Sequence, residues 1–267
     1  MYRVFILLCG LFFFNCADAQ LSKYGKPAGF EDVQTVYIYQ KSNWDGTHAS
    51  KIYLYLEDSN HLQSFKWFEG ENEATLVTAD FDWVTYSVKK FSNYHLEKEM
   101  EPQLKASLIF DGNKKINIEV GSMHDSMTLI GLPWQSYDFD FAGLGLSWRA
   151  LKNKKKDFYF HIADVAREPN GMRFANKGRV DVVYKKEVAL NGKNCLLYDI
   201  NGSGLENKGG QIWINANNFM IEQYKIEIPD EPGYDNGMLQ LVETKKMSKA
   251  EWEQFKNTAV GNPVPHE

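Results

Sequence analysis

Val33-Gln34-Thr35-Val36-Tyr37-Ile38-Tyr39, followed after a turn by Lys51-Ile52-Tyr53-Leu54-Tyr55-Leu56, is the stretch that decides the fold class. Both runs are rich in β-branched and aromatic side chains, which pack well on a pleated surface. Their period-two alternation sends one set of side chains inward. Between them lies Asn43-Trp44-Asp45-Gly46-Thr47, whose Asp-Gly step is a turn signal.

The same pattern continues through most of the chain. It predicts strands over 62–68, 74–79, 82–90, 104–110, 115–121 and 127–131, and again over 157–163, 179–190, 194–200, 210–215, 219–228 and 238–246. Asp111-Gly112-Asn113 and Leu190-Asn191-Gly192-Lys193 are tight turns. Pro229 and Pro232 keep the long connection after 228 out of any central strand, because proline has no amide to give a ladder. The first half carries no sustained apolar stripe at the helical period. The expected class is all-β: a large antiparallel curved sheet, open barrel or sandwich with a short C-terminal helix. For that helix Ser248 and Glu251 form a capping box, and Trp252 and Phe255 share the face that covers the sheet.

Pro133 and Trp134 open the central join, and the segment 136–149 follows. Its alternation puts Tyr137, Phe139 and Phe141 on one face, with Asp138 and Asp140 on the other. Gly143 and Gly145 are expected to let this long strand bend. The predicted organisation is a signal peptide over 1–19, an antiparallel β region over 20–131, a continuing β region with the terminal helix over 132–256, and a flexible tail over 257–267.

Met1-Tyr2-Arg3, the apolar run Val4–Phe14 and the small-x-small site Ala17-Asp18-Ala19 form the pattern of an export signal cleaved after Ala19. The run is too short to span a bilayer, and no later stretch is long enough. The expected location is the periplasm or outside the cell. Cys16 offers an alternative as a lipidated anchor, but Phe13-Phe14-Asn15 matches poorly the small residues that such processing needs. Cleavage removes Arg3 and Asp18, one charge of each sign, so the net charge stays at -5. That balance argues against a nucleic-acid partner. The basic run Lys152-Asn153-Lys154-Lys155-Lys156 is expected as a solvated turn. Cys195, the one cysteine left, is expected to be a buried small hydrophobe, so no internal disulfide supports the fold.

No nucleophile elbow, phosphate loop or His-Glu-x-x-His pair is present. His48, His61, His95, His124 and His161 are scattered, whereas zinc needs three or four convergent ligands, so neither a metal site nor a cofactor is expected. His124-Asp125, His161-x-x-Asp164 and the pairs Asp80/Asp82 and Asp138/Asp140 keep a secreted hydrolase with an Asp/His site open as the second reading. Aromatic residues alternating with polar ones favour a different one. They line an apolar crevice in a curved sheet, or they pack a solid core. On the crevice reading the ligand-binding candidates are Trp134, Phe139, Phe141, Trp148 and Trp213.

Gly209-Gly210-Gln211-Ile212-Trp213-Ile214-Asn215-Ala216-Asn217-Asn218-Phe219-Met220 and the strand after it resemble exported bacterial proteins of the DUF3108-like group. More remotely they are similar to the open β-barrels of the LolA and LolB lipoprotein carriers. The resemblance covers mainly 178–247, and no carrier residue matches one by one. It implies an apolar hollow that holds acyl chains. The expected function is a non-catalytic exported envelope protein. Its partner would be a lipid or hydrophobic small molecule, or an envelope protein.

Overall fold

A computed structural model describes residues 20–67, 70–137, 142–168, 171–229 and 233–261. The expected signal peptide, with Asp138, Phe139, Asp140 and Phe141, lies outside them. The first strands are β1 (Thr35–Ser42), β2 (Ser50–Leu56), β3 (His61–Trp67), β4 (Glu73–Asp82), β5 (Ser87–Glu97), β6 (Gln103–Phe110), β7 (Lys115–Val120) and β8 (Met123–Thr128). A two-residue strand β9 (Trp134–Gln135) and helix α1 (Ala142–Ala150) follow. Then come β10 (Phe158–Glu168), β11 (Gly171–Leu190), β12 (Lys193–Asn201), β13 (Gly210–Asn215), β14 (Ile221–Ile226), β15 (Gly237–Lys246) and helix α2 (Lys249–Gly261). All fifteen strands form one sheet in the order β8-β7-β6-β5-β4-β3-β2-β1-β15-β14-β13-β12-β11-β10-β9. Chain neighbours pair throughout that order except where β1 meets β15. Every pairing is antiparallel save that of β9 with β10.

The sheet curls strongly. β6 and β11 stand ten steps apart in the order, which in a flat sheet is about 48 Å at 4.8 Å per strand. Yet one ring, Trp134, lies 6.3 Å from Phe110 on β6 and 6.5 Å from Phe174 on β11. Strands from both halves therefore share one interior cluster, including Tyr37, Val77, Ile116, Phe160, Val180 and Tyr224. The sheet is not closed into a barrel, because β8 and β9 end the strand order without pairing to each other.

Two covers explain why β1 is buried on both faces. Tyr37 and Tyr39 point into the interior, while Val36 and Ile38 join a second cluster under α2. Trp252 of α2 is fully buried, stacks on Tyr55 at 5.0 Å and donates from Nε1 to Gln63 Oε1 at 2.7 Å. Glu251 accepts from the Ser248 amide at 2.7 Å, and the Ser248 hydroxyl accepts from the Glu251 amide at 3.3 Å. The capping box is thus formed as expected. Ser248→Ala is expected to cost about 1 kcal/mol, read as a shift in the urea midpoint; an unchanged midpoint would show that packing alone fixes α2. The helix runs to Gly261, beyond the start expected for the tail at 257, because Ala259 and Val260 are buried against the sheet.

Three expectations are corrected. Where a long bent strand was expected over 136–149, residues 142–150 form α1, and residues 143–150 are buried all round. A helix with no solvent face shows no stripe, so its sequence mimics alternation. Its glycines permit close packing: a Cβ on Gly143 would meet Gln135 Oε1 at 2.8 Å, and one on Gly145 would meet Met220 Sδ at 3.2 Å. The strand expected over 82–90 is interrupted. Asp82 accepts from the amides of Val84 and Thr85 at 3.1 Å each and turns the chain there. The basic run is not simply solvated. Lys154 donates to the carbonyls of Arg149 (3.0 Å) and Leu151 (2.6 Å), satisfying the C-terminal end of α1.

Candidate functional site

The inner face of the sheet changes character along the strands. Residues directly opposite in an antiparallel pair project to the same side. Tyr39 faces Ile52, Ile52 faces Lys66, Lys66 faces Thr75, and Thr75 faces His95. Tyr39 and Ile52 belong to the interior cluster, so Lys66, Thr75 and His95 lie on that same inner face. Lys41, two residues beyond Tyr39, continues it beside Ser50. Together these positions wall a cleft of about 450 Å³, with Trp67, Glu71 and Glu73 at its border.

One loop frames the cleft. Tyr234, from the connection between β14 and β15, places its ring 5.2 Å from Lys41 Nζ and donates to the His48 carbonyl at 2.7 Å. Lys41 is buried. His95 Nε2 stands 3.6 Å from Glu73 and 3.9 Å from Glu97. Lys41, Lys51 and Lys66 against Glu71 and Glu73 give the wall a formal charge of one positive unit with His95 neutral.

The same inner face continues into exposed apolar surface. Asn93 pairs with Ala106, Ala106 with Val120, and Val120 with Met123. Val120 and Met123 are 37% and 45% exposed, whereas Ile116 and Ile118 on the same side of β7 are buried. A polar cleft thus borders an apolar strip across β6, β7 and β8.

The three aromatic candidates among the described residues do not meet at one opening. Trp134 and Trp148 are fully buried, the latter with its ring 4.9 Å from Phe158 and 5.2 Å from Tyr198. Trp213 lies between Ile212 and Ile214, both interior residues, and so faces the other side of the sheet, where it is half-buried. Phe139 and Phe141 fall outside the described residues.

The acid–base candidates among the described residues are dispersed as well, and Asp138 and Asp140 fall outside them. His124 and Asp125 are neighbours on β8, and His161 and Asp164 are three apart on β10, so each pair points to opposite faces. The Asp80 and Asp82 carboxylates are engaged locally, Asp80 with His61 at 2.8 Å and Asp82 with Thr85. His61 has its other ring nitrogen 3.2 Å from Asp58, so each nitrogen already faces a carboxylate and neither is directed at a substrate. Among the described residues no group of three His, Cys, Asp or Glu could hold a metal ion. Cys195 is buried, and burial pushes its thiol above the ordinary value, which suits packing rather than nucleophilic attack. No described helix is long and apolar enough to cross a membrane.

Sequence reading missed Lys41, Lys66, His95 and Tyr234 because four separate segments supply them. The available signal is one of parity. On β1, β3 and β4 the positions that point inward are apolar or small in mid-strand, and turn polar at one end as Lys41, Lys66 and Thr75.

Comparison with family models finds no match, so none supports the DUF3108-like resemblance. Comparison with curated proteins finds none either. Among solved structures, a provisionally named outer membrane lipoprotein-sorting protein domain from Vibrio parahaemolyticus shows a weak similarity. Its TM-score is 0.22 and its identity 8%, over 85% of this chain and 91% of that one.

Proposed function

We propose that this chain is a non-catalytic, exported envelope protein that binds an amphipathic ligand with a negatively charged end. The observation that carries this is the inner-face cleft of about 450 Å³, with Lys41, Lys66 and Tyr234 on its wall and apolar surface beside it. The charged end sits among the lysines, where a partly desolvated site strengthens attraction. The apolar part lies along Val120 and Met123, which removes their exposed surface from water. Trp134 and Trp148 form the rigid interior behind that face. Export through the leader at 1–19 and the apolar-plus-polar face together favour a lipid or another acylated envelope molecule over a purely polar solute.

The test uses a fluorescent long-chain carboxylate as probe and native mass spectrometry of protein isolated from its own envelope. Wild type is expected to retain a copurifying mass and to bind the probe. Lys66→Glu is expected to weaken probe binding at least about tenfold, equivalent to 1.4 kcal/mol. Equal affinity in both proteins, or a wild type that carries no ligand and binds no probe, would refute the assignment.

A further inference from the structure

We propose that the connection 129–135 is a pH-sensitive seam, holding the two ends of the curled sheet together while His161 beneath it is neutral and releasing them when that imidazole takes up a proton. The inference stands apart from the ligand assignment, since none of its residues lines the cleft.

β8 and β9 are the two ends of the strand order, and no ladder joins them. The chain between them makes the link instead. Leu129 and Leu132 are buried in the interior cluster as its apolar anchors. The Ile130 amide donates to Asn176 Oδ1 at 3.2 Å, and Asn176 Nδ2 donates back to the Thr128 carbonyl at 2.9 Å. Asn176 belongs to β11, so this single side chain ties the end of β8 to the far half of the sheet. Beyond it, the His161 amide donates to the Pro133 carbonyl at 2.9 Å and the Trp134 amide to Ser87 Oγ at 3.0 Å. A seam of isolated bonds opens at lower cost than a continuous ladder.

His161 is placed where that cost responds to acid. Its ring is pressed against Gly131: a Cβ there would sit 2.1 Å from Cε1 and 2.6 Å from Nδ1. Nδ1 is buried with no hydrogen-bond partner among the described residues. A neutral imidazole tolerates that position, whereas protonation makes Nδ1 a second, buried donor with no acceptor and sets a charge opposite Arg179. The charged and titratable groups around the ring come from every neighbouring element. Arg179 stands opposite in register on β11, and Asp181 on the same strand is already bonded to Arg179 at 2.7 Å. Tyr159 on β10 has its ring 5.6 Å away, and Lys114 comes from the turn between β6 and β7; β9 contributes only the uncharged Trp134. Burial has the largest effect and holds the imidazole below its ordinary value; the Pro133 carbonyl opposes it next, and Arg179 and Lys114 lower the group further against the weaker pull of Asp181.

The sign follows from linkage. An imidazole freed by opening has its ordinary pKa near 6.5, so the open form binds more protons than the closed one. Acidification below that point therefore favours opening.

Hydrogen exchange on the full protein at pH 7.5 and pH 5, corrected for intrinsic rates, tests the seam. Amides of 129–135 are expected to open more at the lower pH, by up to about tenfold per pH unit for one proton taken up, while those of β1 and β2 keep their protection. His161→Gln is expected to abolish the difference. Gly131→Ala, whose methyl displaces the ring, is expected to leave the segment open at both pH values. Equal protection of wild type at both pH values would overturn the proposal, as would a pH response that survives in His161→Gln or a Gly131→Ala seam that stays closed.

Discussion

Trp148→Ala is expected to destabilise the fold by about 3–5 kcal/mol, while Trp213→Ala, one tryptophan for another, costs much less. Trp148 has no exposed surface and meets Phe158 and Tyr198 edge-on at 4.9 Å and 5.2 Å. Removing its indole opens a cavity at the point where α1 seals the interior, and rigid strands on either side cannot collapse into it. Trp213 sits half-buried on the opposite face, where water replaces the lost ring. The urea midpoints of the two variants, at unchanged slope, measure the contrast. Similar shifts would mean that the interior around α1 is loosely packed.

That contrast also shows what was legible in the sequence. Period-two runs such as the one over 33–39, which falls on the strand Thr35–Ser42, and the Asn191-Gly192 turn located strands well, because pleat and turn chemistry are local. The Ser248–Glu251 capping box located α2 for the same reason. Helix α1 was illegible because every residue over 143–150 is buried, and a helix that lacks a wet side leaves no periodic mark. Trp134 and Trp148 are ligand-binding candidates by sequence and fully buried in the fold, because composition cannot tell a ring that lines a space from one that fills it. The cleft was harder still. Lys41, Lys66 and His95 become neighbours only through strand pairing, and Tyr234 arrives from a loop far along the chain. Registers, not residues, carry that information.

Arg149→Met is expected to cost about 3 kcal/mol, at the low end for a buried pair, because removing one partner leaves the Asp32 carboxylate, its side chain 19% exposed, partly desolvated and unpaired. Arg149, at the end of α1, donates from one guanidinium nitrogen to Asp32 Oδ1 at 2.8 Å and from the other to Oδ2; only 6% of its side chain is exposed. The Tyr37 hydroxyl donates to the same carboxylate, and the Phe30 ring lies 4.9 Å from the Arg149 guanidinium carbon. This cluster fastens α1 to the turn before β1. The double variant Asp32→Asn with Arg149→Met should lose clearly less than the two single losses added together, since neither group is then left charged alone. The pH dependence supplies an independent check. Burial by itself would raise the Asp32 carboxyl, but the Arg149 hydrogen bond and charge, with Tyr37, outweigh it and hold the group below its usual value. The unfolded chain, titrating near 3.9, then binds this proton more readily than the folded one. The stabilisation is therefore complete above that value and drains away as pH falls through the lower folded one. Wild type should lose stability more steeply than the double variant as the pH is taken from 5 to 2. Parallel curves, or additive losses in the cycle, would show that Asp32 and Arg149 act as separate surface charges and that α1 is held by its apolar packing alone.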